Sequence, residues 1–145
     1  MIEQIQSSDK IEDIIFGAFN LKLPVSGGWG YSQDEATIIS DQQKRKQIQY
    51  MFATARSTIE MNLTQTENER YGGINVKELS SETYGDFEKV TFEISAILEH
   101  VYAKFIQEYK DNHGKEGFDL KDHFSRREEN TLKRIECFWF KKSNI

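Results

Sequence analysis

Asp119, His123 and Arg127 follow one another at intervals of four residues in a segment that the sequence predicts to be a short helix. Side chains four positions apart lie on the same helix face, so Asp119 and His123 could share a metal ion. Two ligands do not complete a metal site, and no second histidine or cysteine pair supports them. We therefore predict no metal, and keep the three residues as the candidate active site of a small enzyme, one alternative to a binding function.

Three glycines within four positions predict a tight loop at Gly27, Gly28 and Gly30. A phosphate-binding loop needs a following lysine and a hydroxyl residue at the start of a helix, whereas this loop continues into Trp29 and Tyr31. Its spacing also differs from that of a dinucleotide-binding loop. The two aromatic side chains either pack onto the domain, which we expect, or form an exposed anchor for a protein partner, because tryptophan and tyrosine dominate binding hot spots.

The other reactive residue types show no catalytic arrangement. No serine lies in a Gly-x-Ser-x-Gly motif. Cys137 lies in an apolar stretch, where a lone cysteine usually serves as a small core residue. His100 lies beside the apolar stripe of a predicted helix, and His113 is placed at the end of that helix, where the dipole favours an imidazolium. We predict no catalytic residue and no cofactor.

Hydrophobic periodicity predicts an α+β fold with a mainly antiparallel sheet of five or six strands and about three helices. The clearest element is an amphipathic helix that begins near Leu98 and stops before Gly114. Asp119 is the expected N-cap of the short helix. The last strand is apolar on both faces, which places it centrally in the sheet or under a helix. The predicted helices are 9–19, 98–112 and 120–127, and the predicted strands are 36–39, 74–79, 87–97 and 131–141.

Residues 47–64 have two interpretations. As a helix, they place Ile48, Phe52 and Ile59 on one stripe. As a hairpin, they form two alternating strands whose phase changes near residues 55–57. Thr58, Asn62 and Thr64 are poor helix formers, and for that reason the hairpin is our prediction.

Composition and charge restrict the class of protein. The chain has 145 residues, 12% aromatic residues and a net charge of −5, which predicts a single folded domain over residues 1–145. The start of the sequence lacks the features of a signal peptide, and no apolar run is long enough to cross a membrane. We expect a cytoplasmic protein. Residues 60–99 carry nine acidic and three basic residues, a balance that disfavours nucleic acid and favours a basic protein partner.

Two segments, 23–31 and 136–140, resemble a group of small uncharacterised bacterial proteins, some of the toxin–immunity type. The resemblance implies a cytoplasmic binding protein that neutralises a cognate, basic bacterial toxin domain by occlusion, and it assigns no functional residue. An oligomeric structural subunit is the other alternative. The candidate partner-binding residues come from the aromatic loop and the acidic middle of the chain: Trp29, Tyr31, Glu67, Glu69, Glu78, Glu82 and Asp86.

Overall fold

The computed structural model describes residues 2–142, and in this range the chain forms four α-helices and five β-strands. A π-helical turn at Ile59–Leu63 and a short 3-10 helix at Glu67–Glu69 follow the second α-helix. In chain order the elements are α1 (Ile11–Phe19), β1 (Val25–Gly27), β2 (Thr37–Ile39), α2 (Arg45–Thr58), β3 (Tyr71–Tyr84), β4 (Phe87–Leu98), α3 (Glu99–Asn112), α4 (Leu120–Glu129) and β5 (Leu132–Lys142).

The five strands form one sheet in the order β1-β2-β5-β4-β3. Only β2 and β5 run parallel, and the other neighbouring pairs are antiparallel. The predicted α+β class with a mainly antiparallel sheet is therefore confirmed. The long β3–β4 hairpin closes with the two-residue turn Gly85–Asp86, in which Gly85 has a φ of 63°. A glycine with positive φ in the first turn position gives the backbone twist that a tight hairpin requires.

The two central strands, β4 and β5, separate two unlike faces of the sheet. Val90, Phe92 and Ile94 point with Phe138 and Phe140 towards the same side, and all five are buried. We call this side the helix face, because α2 packs on it. On the other side, the open face, Ile135 is 67% exposed. Of the two positions expected for the final strand, the central one is confirmed, since β5 lies between β2 and β4.

Cys137 also belongs to the open face, because it alternates with Phe138 along β5. It is a free thiol of intermediate exposure and lies 3.7 Å from the hydroxyl of Thr91. The prediction that Cys137 is a core residue is therefore wrong. The apolar stretch around it comes from a strand with apolar side chains on both faces, and only one of these faces meets the core.

The hairpin predicted for residues 47–64 is wrong, because this segment forms α2 and the π-helical turn. Phe52 packs in the core against the rings of Trp29 and Phe140. One of the three residues that argued against a helix is accommodated within α2, since Thr58 donates a hydrogen bond from its hydroxyl to the carbonyl oxygen of Thr54, one turn earlier. Burial of the apolar stripe therefore outweighed local propensity.

Helices α3 and α4 lie at the far end of the open face from the hairpin turn. Ile97 of β4 and Tyr102 of α3 line a depression of about 380 Å³ between the sheet and these two helices. The predicted α4 and its cap are confirmed, because Asp119 Oδ1 accepts a hydrogen bond from the backbone N–H of Asp122 at 3.0 Å. None of the helices within residues 2–142 is long and apolar enough to span a membrane.

The position of Phe52 under α2 leads to a stability prediction. We expect Phe52→Ala to lower the free energy of unfolding by about 3–5 kcal/mol, because it leaves a cavity among fully buried rings. Phe16→Ala is the matched control: Phe16 is 43% exposed on α1, and its loss should cost less than about 1 kcal/mol. Urea denaturation measures both. Similar losses in the two variants would contradict the packing of α2 on the sheet.

Candidate functional site

The glycine-rich loop is fastened to the sheet. The carbonyl oxygen of Gly30 accepts a hydrogen bond from the backbone N–H of Trp139 at 2.8 Å, and Thr37 donates to the carbonyl oxygen of Gly28 at 2.7 Å. A side chain at Gly30, where φ is +83°, would lie 2.9 Å from the carbonyl oxygen of Trp139. The absence of a side chain therefore allows the loop to lie directly against β5.

This arrangement turns the aromatic residues of the loop inwards. Trp29 is only 6% exposed and stacks on Phe52, with ring centroids 5.9 Å apart. Tyr31 is partly buried, and its hydroxyl donates to Glu60 Oε2 at 2.6 Å and accepts from the backbone N–H of Ile5 at 2.8 Å. The packed interpretation of the loop is confirmed. The alternative of Trp29 and Tyr31 as an exposed anchor is wrong, because β5 and α2 offer them buried surface.

Glu60 belongs to a buried charged network that also contains Arg56. The Arg56 guanidinium is inaccessible to solvent and lies between the rings of Phe138, at 3.6 Å, and Tyr31, at 4.1 Å. It donates to the carbonyl oxygen of Trp29, and its Nε lies 3.5 Å from Glu60 Oε2. Burial lowers the pKa of Arg56, whereas Glu60 acts in the opposite direction. Burial and the hydrogen bond to Glu60 raise the pKa of Tyr31.

A second arginine completes this network at β5. Arg134 Nη1 lies 3.6 Å from Glu60 Oε1, and Arg134 Nη2 lies 2.9 Å from Glu136 Oε1. Two guanidinium groups thus face two carboxylates, and the network joins the π-helical turn to the sheet. Sequence reasoning missed it. The available signal was the four-residue spacing of Arg56 and Glu60, which the hairpin interpretation concealed.

Removal of one member of the buried pair should be strongly destabilising. We expect Arg56→Met to lower the free energy of unfolding by about 3 kcal/mol or more, because it leaves the buried Glu60 carboxyl group with fewer partners. The double variant Arg56→Met/Glu60→Gln should lose less than the sum of the two single losses. Lys133→Met, which breaks an exposed pair with Glu128, should change little. Additive effects in urea denaturation would show that Arg56 and Glu60 do not interact.

The three residues proposed as an enzyme site do not converge. The Asp119 carboxylate caps α4, His123 is completely buried, and the Arg127 guanidinium lies over the rings of Tyr102 and Phe124 at 5.4 and 5.2 Å. Eight residues rotate a helix by about 80° beyond two full turns, so the first and last residues of the set diverge. The candidate enzyme site of Asp119, His123 and Arg127 is therefore not formed.

His123 instead lies between α3 and α4 among aromatic rings. Phe105, Tyr109, Phe118 and Phe124 all have ring centroids within 5.9 Å of the imidazole. Its Nδ1 lies 3.3 Å from Oε1 of Glu108, a residue of α3 that also binds Arg126. Within residues 2–142, no three histidine, cysteine, aspartate or glutamate side chains converge as metal ligands.

Glu108 gives the stability a specific pH dependence. The hydrogen bond from Arg126 lowers the pKa of Glu108 from 4.5 to about 2, with His123 contributing in the same direction. A lowered folded-state pKa stabilises the fold above the unfolded pKa, and this contribution disappears as the pH falls through the folded pKa. We expect Glu108→Gln to flatten the decline in unfolding free energy between pH 4.5 and about 2. Glu116→Gln, at an exposed position nearby, should show the wild-type decline in unfolding free energy. Urea denaturation at a series of pH values measures this quantity for both variants. A wild-type pH profile in Glu108→Gln would contradict the role of Glu108.

The acidic candidates are exposed but do not form one patch. Glu67 and Glu69 precede β3, whereas Glu82 and Asp86 lie at its other end. Most of the length of β3 separates Glu69 from Glu82, a distance of about 40 Å at the rise of an extended strand. Glu78 lies along the far half of β3. We call residues 77–89 the hairpin end; it brings together three of the five acidic candidates, Glu78, Glu82 and Asp86.

The hairpin end is solvent-accessible and carries charges of both signs. Every residue from 77 to 86 is exposed, including the acids Glu78, Glu82 and Asp86. The Glu88 side chain is only 13% exposed and pairs with Arg45, and Lys89 lies opposite Glu82 in the register. Lys46 contacts Glu78 and Glu88 at 3.2 and 3.3 Å, which fixes the base of the hairpin end to α2. Glu82 accepts a hydrogen bond from the Tyr84 hydroxyl, and this bond raises the pKa of Tyr84. Glu82 and Asp86 are both exposed to solvent.

Apolar side chains adjoin these acids on the open face. Tyr84 is 48% exposed, and its ring centroid lies 5.7 Å from that of Trp139. Ile135 lies on the same face of β5, four residues before Trp139.

Comparison with models of known protein families found no match, and neither did comparisons with curated proteins and with solved structures.

Proposed function

We propose that this chain is a protein-binding domain that uses the hairpin end to cover a basic surface of its partner. The observation that carries the proposal is the placement of Glu82 and Asp86 on an exposed hairpin at the edge of the sheet. Acidic groups on one side of an interface steer a basic partner and speed association. Glu82 lies on a paired strand and Asp86 in the tight turn that follows it, so the backbone holds both in place before binding, which limits the entropy lost on association.

The neighbouring open face supplies apolar area for the same interface. Tyr84 lies beside Glu82 and contacts Trp139, and Ile135 lies on the same face of the sheet, four residues before Trp139. Ile135 is exposed, so covering its side chain with a partner would be favourable. Tyrosine and tryptophan are enriched among residues that dominate binding energy. The hairpin end therefore combines charge that orients a partner with aromatic surface that retains it.

In its specific form, the proposal is that the chain acts in the cytoplasm as an immunity protein and neutralises a cognate bacterial toxin by occlusion. The toxin domain would be basic, and its active surface would be blocked by the hairpin end. The support is the acidic charge together with the resemblance of segments 23–31 and 136–140 to small bacterial proteins of the toxin–immunity type. The free thiol of Cys137 suits a reducing compartment.

A charge-reversal experiment tests the proposal with the purified product of the adjacent gene as the partner. We expect Glu82→Lys/Asp86→Lys to slow association about tenfold or more at low salt, because the steering charge changes sign. The wild-type association rate should itself fall as salt is added. Surface plasmon resonance measures both quantities.

The matched control is Glu116→Lys/Glu129→Lys, which makes the same change in net charge at exposed positions away from the hairpin end. It should keep nearly the wild-type association rate. A partner that binds both double variants equally well would exclude the hairpin end as the interface. If the wild-type protein does not bind the adjacent gene product at low salt, the proposed function is overturned.

A further inference from the structure

The edge of the sheet at the hairpin end has a defined set of outward-facing backbone groups. Tyr84 and Phe87 flank the two-residue turn and are paired in the register, so they exchange both backbone hydrogen bonds. Hydrogen-bonded and non-hydrogen-bonded pairs alternate along an antiparallel ladder. The N–H and C=O groups of Ser81 and Thr83 must therefore point away from β4, towards the outside of the sheet.

These outward groups have no strand beside them in the part of the chain that the structure describes. β3 is the last strand in the sheet order, and both Ser81 and Thr83 are exposed. Within residues 2–142, no helix, loop or side chain forms a hydrogen bond with the backbone of either residue. Unpaired strand edges of this kind can accept an additional strand, and proteins usually blunt them with charges or bulges.

β3 has such a bulge, and its position limits the accessible edge. The register shifts between Glu78 and Ser80, so regular pairing with β4 runs without interruption from Ser80 to Tyr84. This run is about as long as an ordinary strand. The bulge ends the regular edge on one side, and the turn at Gly85 ends it on the other. The edge therefore accepts a short extended segment and opposes long edge-to-edge association.

The side chains from Ser80 to Tyr84 determine which residues an added segment would need. Glu82 and Tyr84 project onto the open face with Ser80, whereas Ser81 and Thr83 project onto the helix face. A strand added beside β3 would place its own alternate side chains next to Glu82 and Tyr84. A lysine or arginine beside Glu82 and an apolar residue beside Tyr84 complement this pattern.

We infer that the partner binds by adding a short, basic, extended segment to the outer edge of β3 at residues 80–84. This inference rests on the proposed function and specifies how the interface is formed. Backbone hydrogen bonds from Ser81 and Thr83 supply part of the affinity, and Glu82 selects for basic side chains on one face of the added strand. The partner segment extends the sheet from five to six strands.

The test compares two substitutions at one position, with the adjacent gene product as the probe. Ser81→Pro removes the outward N–H, and proline is tolerated on an edge strand where this group faces solvent. Ser81→Ala removes only the hydroxyl. We expect Ser81→Pro to weaken binding about tenfold or more, the loss of about one hydrogen bond, and Ser81→Ala, which keeps the backbone N–H, to weaken it much less. Circular dichroism and urea denaturation of both variants show that the fold is retained.

Amide hydrogen exchange of the wild-type complex gives a second readout that needs no variant. The amides of Ser81 and Thr83 should exchange at least about tenfold more slowly in the complex, because each would donate to the added strand. The amide of Glu82, which already faces β4, should change much less. This alternation distinguishes strand addition from contact through side chains, which would protect neighbouring amides without regard to their direction.

The outcomes separate the mode of binding from the function. Binding that is sensitive to Glu82→Lys/Asp86→Lys but equal in Ser81→Pro and Ser81→Ala, with no alternating protection, overturns strand addition and leaves the proposed function in place. Absence of any binding by the wild-type protein overturns both. Should Ser81→Pro fail to fold, the exchange pattern of the wild-type complex alone decides the inference.

Discussion

The guanidinium of Arg56 lies where three parts of the molecule meet, and their arrangement depends on how its charge is accommodated. It contacts the rings of Phe138 and Tyr31, the carbonyl oxygen of Trp29 and the carboxylate of Glu60. A buried cation requires such partners, because its loss of hydration costs several kcal/mol. These contacts join α2 to β5 and hold the aromatic loop against both. Burial of the Arg56 guanidinium costs free energy unless its partners are correctly placed, and this requirement makes the local geometry specific.

The packing of α2 on one side of the sheet leaves the two sheet faces unlike. The helix face holds the aromatic core, whereas α3 and α4 cover the open face at one end only. The β3–β4 hairpin extends beyond these helices, so among residues 2–142 nothing helical covers the open face of its far half and no strand lies beyond β3. The features used for the proposed interface, which are the acids, the Tyr84 ring and the free edge, all result from this uneven cover.

Predictions from the sequence succeeded where one local pattern was unambiguous. The stripe that begins at Leu98 gave α3, and Asp119 caps α4 as expected. The assignment of residues 47–64 failed because two periodicities fitted the same residues, and burial against the sheet decided between them. The candidate site of Asp119, His123 and Arg127 failed for a different reason. Helical spacing specifies direction over one turn, but capping and the packing of α4 on α3 determine where each side chain goes.

The sequence by itself determined the α+β class, the acidic middle of the chain and most strand positions, because composition and short-range periodicity carry that information. It also indicated that the glycine-rich loop packs down. Only the tertiary structure decided which acids lie together. Glu67 and Glu82 belong to the same acidic stretch of the sequence, but β3 is extended and holds them far apart. It also decided that Arg56 is buried and that the backbone of Ser81 faces outwards. Strand order and register are long-range properties, and no local pattern contains them.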